Sequence, residues 1–160
     1  MKLIFIIGTR PQIIKMSAIS HALKEIDQQI NYKVINTGQH YDNNMSNQFF
    51  SELDIKKPDY NLNINKGTHG KNTGKFIIEI EKILIKEKPT NVIVFGDTDT
   101  TLAGTISSKK LNIHLTHIEA GLRSNDFSMP EEINRILTDR VSDLLIVPNK
   151  NSEKNLITEG

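Results

Sequence analysis

Three carboxylates and three cations stand where they could share one piece of chemistry. Asp97 follows the apolar run Asn91–Phe95, Glu119 follows Ile113–His117, and Glu131 opens a helical pattern just after Pro130. Arg10 and Lys15 flank the start of the first helical pattern, and Arg135 lies one turn beyond Glu131. All six fall after strand-like runs or in loops expected at one edge of a sheet. Paired acids and bases beside an anion site suit proton transfer next to a phosphate leaving group.

Each position also has a plainer explanation. In Gly8-Thr9-Arg10-Pro11-Gln12-Ile13-Ile14-Lys15 a strand end turns into a helix with Pro near its first position, whose free N–H groups attract anions. Cations in that first turn oppose the helix dipole, which points either to a bound anion or to side chains that simply extend into water. The glycine fingerprint of dinucleotide sites is missing, which argues against NAD. After Phe95-Gly96, Asp97 is placed as a site carboxylate, whereas Asp99, with Thr98 and Thr100, is explained as a helix cap. His117 reads as a hydrogen-bonded structural residue, and Glu119 as a site residue rather than a surface partner of Arg123. Glu131 and Glu132 both suit the helix dipole, and only Glu131 is taken as catalytic.

The elements that must position these groups alternate regularly. The continuous apolar run Leu3–Ile7 predicts a strand buried on both faces, and similar runs recur at Tyr32–Ile35, Asn91–Phe95, Ile113–His117 and Leu144–Val147. Helical patterns lie between them at Ile13–Ile26, about Asn44–Leu53, Thr73–Lys86, Thr100–Lys110 and Glu131–Val141, with a last one over Asn151–Glu159 stopped by Gly160. In the fifth, Ile133, Ile136, Leu137 and Val141 mark the expected core face. Asp54–Asn72 reads as a long loop holding at most one short strand. The prediction is an α/β fold, a Rossmann-like parallel sheet with helices on both faces.

Composition narrows the class. The 160 residues suit one domain, and 20 basic against 19 acidic side chains leave a charge of +1, so no nucleic-acid or membrane partner is expected. No cysteine is present, which excludes thiolate metal sites, and no metal site is expected. The N-terminus lacks a signal-peptide pattern, and no apolar run nears the ~20 residues that span a bilayer, so a cytoplasmic protein is expected.

Five strings in order resemble the non-hydrolysing UDP-N-acetylglucosamine 2-epimerase family: Gly8-Thr9-Arg10-Pro11, Thr37-Gly38-Gln39-His40, Gly96-Asp97-Thr98, His117-Ile118-Glu119-Ala120-Gly121-Leu122-Arg123, and Pro130-Glu131-Glu132-Ile133-Asn134-Arg135. The resemblance implies the N-terminal half of a glycosyltransferase-B type architecture, with residues 1–160 as one Rossmann-like domain and a C-terminal UDP-binding domain absent from this chain. It implies interconversion of UDP-GlcNAc and UDP-ManNAc by loss of the C2 proton, expulsion of UDP and re-addition. It also implies a homodimer, no nicotinamide or other cofactor, and negligible turnover by this half alone. Asp97, Glu119 and Glu131 correspond to the catalytic carboxylates, Arg10, Lys15 and Arg135 to substrate contacts, and Gln39 and His40 to a regulatory UDP-GlcNAc site. Gln12 stands where the UDP-GlcNAc enzymes more often have Glu; with Lys57-Pro58-Asp59-Tyr60 and Thr68-His69-Gly70 it is similar to relatives acting on UDP-2,3-diacetamido-glucuronate. A glycosyltransferase half and a stand-alone nucleotide-sugar binding domain are the other readings.

Overall fold

The computed structural model describes residues 1–26, 30–38, 49–64 and 67–160. Six parallel strands form one sheet: β1 (Lys2–Ile7), β2 (Asn31–Asn36), β3 (Tyr60–Asn61), β4 (Asn91–Phe95), β5 (His114–Ile118) and β6 (Leu144–Ile146). The helices are α1 (Arg10–Ile26), α2 (His69–Glu87), α3 (Asp99–Lys110), α4 (Pro130–Val141) and α5 (Lys150–Glu159). Strand order is β3-β2-β1-β4-β5-β6, so the chain leaves β1 toward one edge and returns to build the other. The carboxyl ends of β1 and β4 therefore flank a crevice at a topological switch point, where open α/β sheets bind ligands.

Alternation along the strands divides the core into two layers. Leu3, Phe5 and Ile7 of β1, with Val34, Ile93 and Phe95, face Ile13 and Met16 of α1 together with Phe50 and Ile55. Ile4 and Ile6, with Ile35, Val92, Val94 and Leu115, face Phe76, Ile80 and Leu84 of α2 and Ala103 of α3. A run buried on both faces carries no polar alternation, which is why apolar stretches identify β1 and β4. α3 lies close against the sheet because of Gly104, where a Cβ would stand 3.0 Å from both Ile6 Cδ1 and Val94 Cγ1.

At the opposite, amino-terminal edge, the buried Glu87 at the end of α2 gathers Lys2 (2.8 Å), Lys33 (2.9 Å) and the Tyr60 hydroxyl. Hydrogen bonds from Lys2, Tyr60 and Lys33 hold its carboxyl down to about 2, against the burial that opposes its charge.

Two expectations are corrected. α2 begins at His69, four residues before the predicted Thr73, because the Thr68 side chain caps it by accepting from the Lys71 amide, so the end of the expected loop is helical. In α4 the inward face is polar: Glu132, Asn134, Thr138 and Asp139 are buried, while Ile133, Leu137 and Val141 are 45%, 48% and 43% exposed. The inward groups are bonded to α3, to β5 and to the loops around the strand ends, Thr138 to Thr105 and Asp139 to His117 among them, so polar satisfaction rather than apolar burial sets the helix rotation. The predicted helix near Asn44–Leu53 is seen over 49–52, the rest lying outside the described residues. No helix among the described residues is long and apolar enough to cross a membrane.

Candidate active site

The crevice between β1 and β4 is closed at its base by Gln12. Its Oε1 accepts the amides of Gly8 (2.7 Å) and Thr9 (3.2 Å), and its Nε2 donates to the Phe95 carbonyl (2.7 Å) and to the hydroxyls of Thr98 and Thr101 (3.1 Å each). The amides of Gly8 and Thr9, at the turn into α1, are thus bonded to the protein's own side chain. A Cβ at Gly8 would stand 2.3 Å from Thr37 Oγ1 and 2.4 Å from Thr100 Oγ1, which are hydrogen-bonded to each other at 2.7 Å. Only glycine leaves room for that bond.

The β4 turn delivers Asp97 as expected. Gly96 takes φ +62°, and a Cβ there would crowd Glu119 Oε2 at 3.2 Å, so the Glu119 carboxylate lies over this turn. Asp97 Oδ2 is 2.5 Å from Nη2 of Arg135, and the Asp97 carbonyl accepts from Asn134 Nδ2 at 2.8 Å. Arg135 also donates to Glu132 (2.7 Å) rather than to Glu131. Burial opposes the charge of Arg135, but Glu132 and Asp97 outweigh it and hold the guanidinium above its ordinary value.

Glu119 itself has φ +76°, a left-handed conformation costly for a residue with a side chain. The Ile146 carbonyl holds it there by accepting from both Glu119 N and Ala120 N at 3.0 Å. Lys15 pairs with Glu119 Oε2, and the two line a depression of about 180 Å³ with Ile118, Ile146, Val147 and Pro148. Arg10 packs its guanidinium 4.5 Å from the Phe49 ring centre and has no carboxylate partner among the described residues.

The adjacent acids of α4 separate sharply. Glu132 is buried, accepting from the amides of Ser124 (3.1 and 3.0 Å) and Asn125 (2.9 Å) and from Arg135; burial opposes its charge, yet these bonds hold it down to about 2. Glu131 makes no hydrogen bond or ion pair among the described residues and is part-exposed. Glu132 organises the loop before α4, and Glu131 has no such structural bond among the described residues.

Other expectations shift. Asp99 does not cap α3; Thr98 does, accepting from the Thr101 amide, while Asp99 binds His69 Nδ1 at 2.7 Å and receives a longer contact from Asn134 at 3.5 Å. His117 is fully buried, with Nδ1 2.6 Å from Asp139 and Nε2 2.8 Å from the Gly96 carbonyl. Arg123 turns away from Glu119 to Asp139 and Glu159, both at 2.7 Å. Gln39 and His40 lie outside the described residues. Asn134, Asp139 and the His69–Asp99 pair had no signal as site residues: their partners are distant in sequence, and Asn134 and Asp139 sit on what reads as a polar surface face.

A family model described as UDP-N-acetylglucosamine 2-epimerase matches residues 22–160. The chain belongs to that family. It is 54% identical over its whole length to the UDP-N-acetylglucosamine 2-epimerase of Methanocaldococcus jannaschii, and 53% identical to the UDP-2,3-diacetamido-2,3-dideoxy-D-glucuronate 2-epimerase of Pseudomonas aeruginosa. It covers 43% and 45% of those proteins, so it spans under half the length of the curated relatives it matches. The crystal structure of the M. jannaschii enzyme in complex with UDP-GlcNAc and UDP superposes with a TM-score of 0.94 over the full chain and 44% of that protein. The Neisseria meningitidis enzyme bound to UDP-GlcNAc gives 0.91 at 37% identity, covering 99% of this chain and 43% of that one. The likeness to Acinetobacter baumannii MurG, 15% identical with a TM-score of 0.60, is one of fold alone.

Proposed function

We propose that this chain is the carboxylate-bearing half of a nucleotide-sugar 2-epimerase that interconverts UDP-GlcNAc and UDP-ManNAc. The observation that carries this reading is the convergence of Asp97, Glu119 and Glu131 on one sheet edge, with Arg135 and Lys15 bound to the first two and Glu131 left open. The proton on C2, the carbon that bears the acetamido group, is weakly acidic, so its removal needs a positioned base. Departure of a nucleoside diphosphate needs charge stabilisation, for which Arg10, Lys15 and Arg135 are the cations at this edge.

In the proposed course, one carboxylate takes the C2 proton as the C1–O bond breaks. The electron pair of that bond leaves on UDP, and a C1=C2 double bond remains in a 2-acetamidoglucal. Reprotonation of C2 from the other face and return of UDP to C1 complete the inversion, with no oxidant and no net loss of atoms. The remaining length of the relatives would supply a second domain with further uridine and diphosphate contacts, so this chain alone is proposed to turn over negligibly. The full-length protein is proposed to act as a cytoplasmic homodimer.

The test is incubation of the full-length protein with UDP-GlcNAc in deuterium oxide. Formation of UDP-ManNAc with deuterium at C2 is expected, and unchanged substrate overturns the reading. Rapid uptake by residues 1–160 alone would overturn the proposed need for a second domain. A second substrate is favoured by one specific observation, the 53% identity to the diacetamido-glucuronate enzyme. Conversion of that sugar and not of UDP-GlcNAc would establish it.

A further inference from the structure

Outside the six residues already assigned, one side chain combines fixed orientation with a free reactive atom at the same edge. His69 occupies the first turn of α2, and its ring is held through Nδ1 by Asp99 at 2.7 Å. Asp99 is itself nearly buried, with 10% of its side chain exposed, whereas 71% of the His69 side chain is open. Asn134, one helical turn beyond Glu131, ties this pair to the site by reaching both the Asp97 carbonyl and Asp99. The ring is therefore anchored on one side to the turn that carries Asp97, and its Nε2 is left outward.

We propose that His69 is a further catalytic residue, whose outward Nε2–H donates to an oxygen of the nucleotide diphosphate as the C1–O bond breaks. The inference rests on the 2-epimerase reading. With Nδ1–H directed to Asp99, Nε2 carries a hydrogen only in the imidazolium form. As the bond breaks, the electron pair moves onto the diphosphate oxygen and the Nε2 proton stabilises it there; on re-addition the imidazolium keeps that proton. Among the described residues, the charged groups facing the ring are Asp99 from α3 and Glu131 from α4, both acidic. The hydrogen bond to Asp99, then its charge, raises the affinity of His69 for a proton, and Glu131 adds to it. A cation-forming residue in the first turn of a helix opposes the helix dipole, and no acid in that turn of α2 offsets it. Asp99 supplies the compensation from another helix, and an anionic substrate would add to it.

The test uses the full-length protein with UDP-GlcNAc. His69→Asn can keep a donor toward Asp99 while removing the outward nitrogen, and a fall in kcat of roughly 100-fold is expected, with KM changed much less. The alkaline limb of the wild-type kcat profile should disappear in that variant. Asp99→Asn keeps an acceptor but removes the charge, so the same limb should move to lower pH. If His69→Asn leaves kcat within about twofold and the limb in place, or Asp99→Asn leaves the limb unmoved, the proposal is overturned while the 2-epimerase reading stands. If the wild-type protein does not epimerise, both fall.

Discussion

Arg135 reaches from the second turn of α4 to Asp97 at the end of β4, 2.5 Å between Nη2 and Oδ2, while its other terminal nitrogen holds Glu132 at 2.7 Å. One guanidinium therefore couples a candidate catalytic carboxylate to the acid that orders the neighbouring loop. Asp97→Asn in the full-length protein is expected to keep the shape of the site and lower kcat roughly 100-fold or more. Following UDP-GlcNAc conversion by NMR checks this, and near-normal turnover would remove Asp97 from the chemistry.

The two acids that open α4 should respond in opposite ways. Glu131→Gln is expected to abolish turnover with little change in melting temperature, since Glu131 has no hydrogen bond to lose among the described residues. Glu132→Ala should cost about 1–3 kcal/mol by leaving the amides of Ser124 and Asn125 without an acceptor. Urea unfolding of both variants beside activity assays separates them; equal destabilisation would contradict the assignment.

Gly8→Ala would drive a methyl group into the Thr37–Thr100 hydrogen bond, so the hydroxyls or the turn would have to shift. A loss of at least about 1–3 kcal/mol is expected, and a thermal melt within a degree of the wild type would show that the crevice is looser than described.

Gln12→Glu would set a carboxylate oxygen beside the Phe95 carbonyl, where Nε2 now donates at 2.7 Å. Two acceptors at that distance favour the protonated acid, so the variant's folded-state pKa lies above its unfolded value. Its stability relative to the wild type should be best below about pH 4 and worsen as pH rises, by about 1–3 kcal/mol once the acid ionises. Paired melts from pH 4 to 8 test this, and a constant difference would refute it.

Glu87 has the reverse sign. Its folded pKa is lowered from 4.5 to about 2, so its contribution is complete above pH 4.5 and fades as pH falls toward 2. Replacing it by Gln should flatten the acid limb of the melting curve over that window. An unchanged limb would place the acid sensitivity elsewhere.

Much of the scaffold could be read from the chain because strands buried on both faces leave uninterrupted apolar runs, as Leu3–Ile7 does. The rotation of α4 could not. Its isoleucines and leucine follow helical spacing, but the face turned inward is the polar one, bonded to partners such as Thr105 and His117 that are remote in sequence. The same limit hid the role of His69, whose anchor Asp99 is thirty positions away and resembled a helix cap. The places of Asp97 and Glu119 at the sheet edge were legible because each follows a strand, whereas the structural role that separates Glu132 from Glu131 shows only in the loop amides around Glu132.

Glu119 is held in its left-handed conformation from outside its own segment. The Ile146 carbonyl secures its amide, Ser152 leaves no room for a Cβ at Gly121, Asn155 donates to the Gly121 carbonyl, and Glu159 grips Arg123. Three of these four holds come from α5. The turn bearing Glu119 is thus braced by α5 at Gly121 and Arg123, while Asp97 is fixed by Asn134 and Arg135 of α4, so the two carboxylates take their positions from different helices.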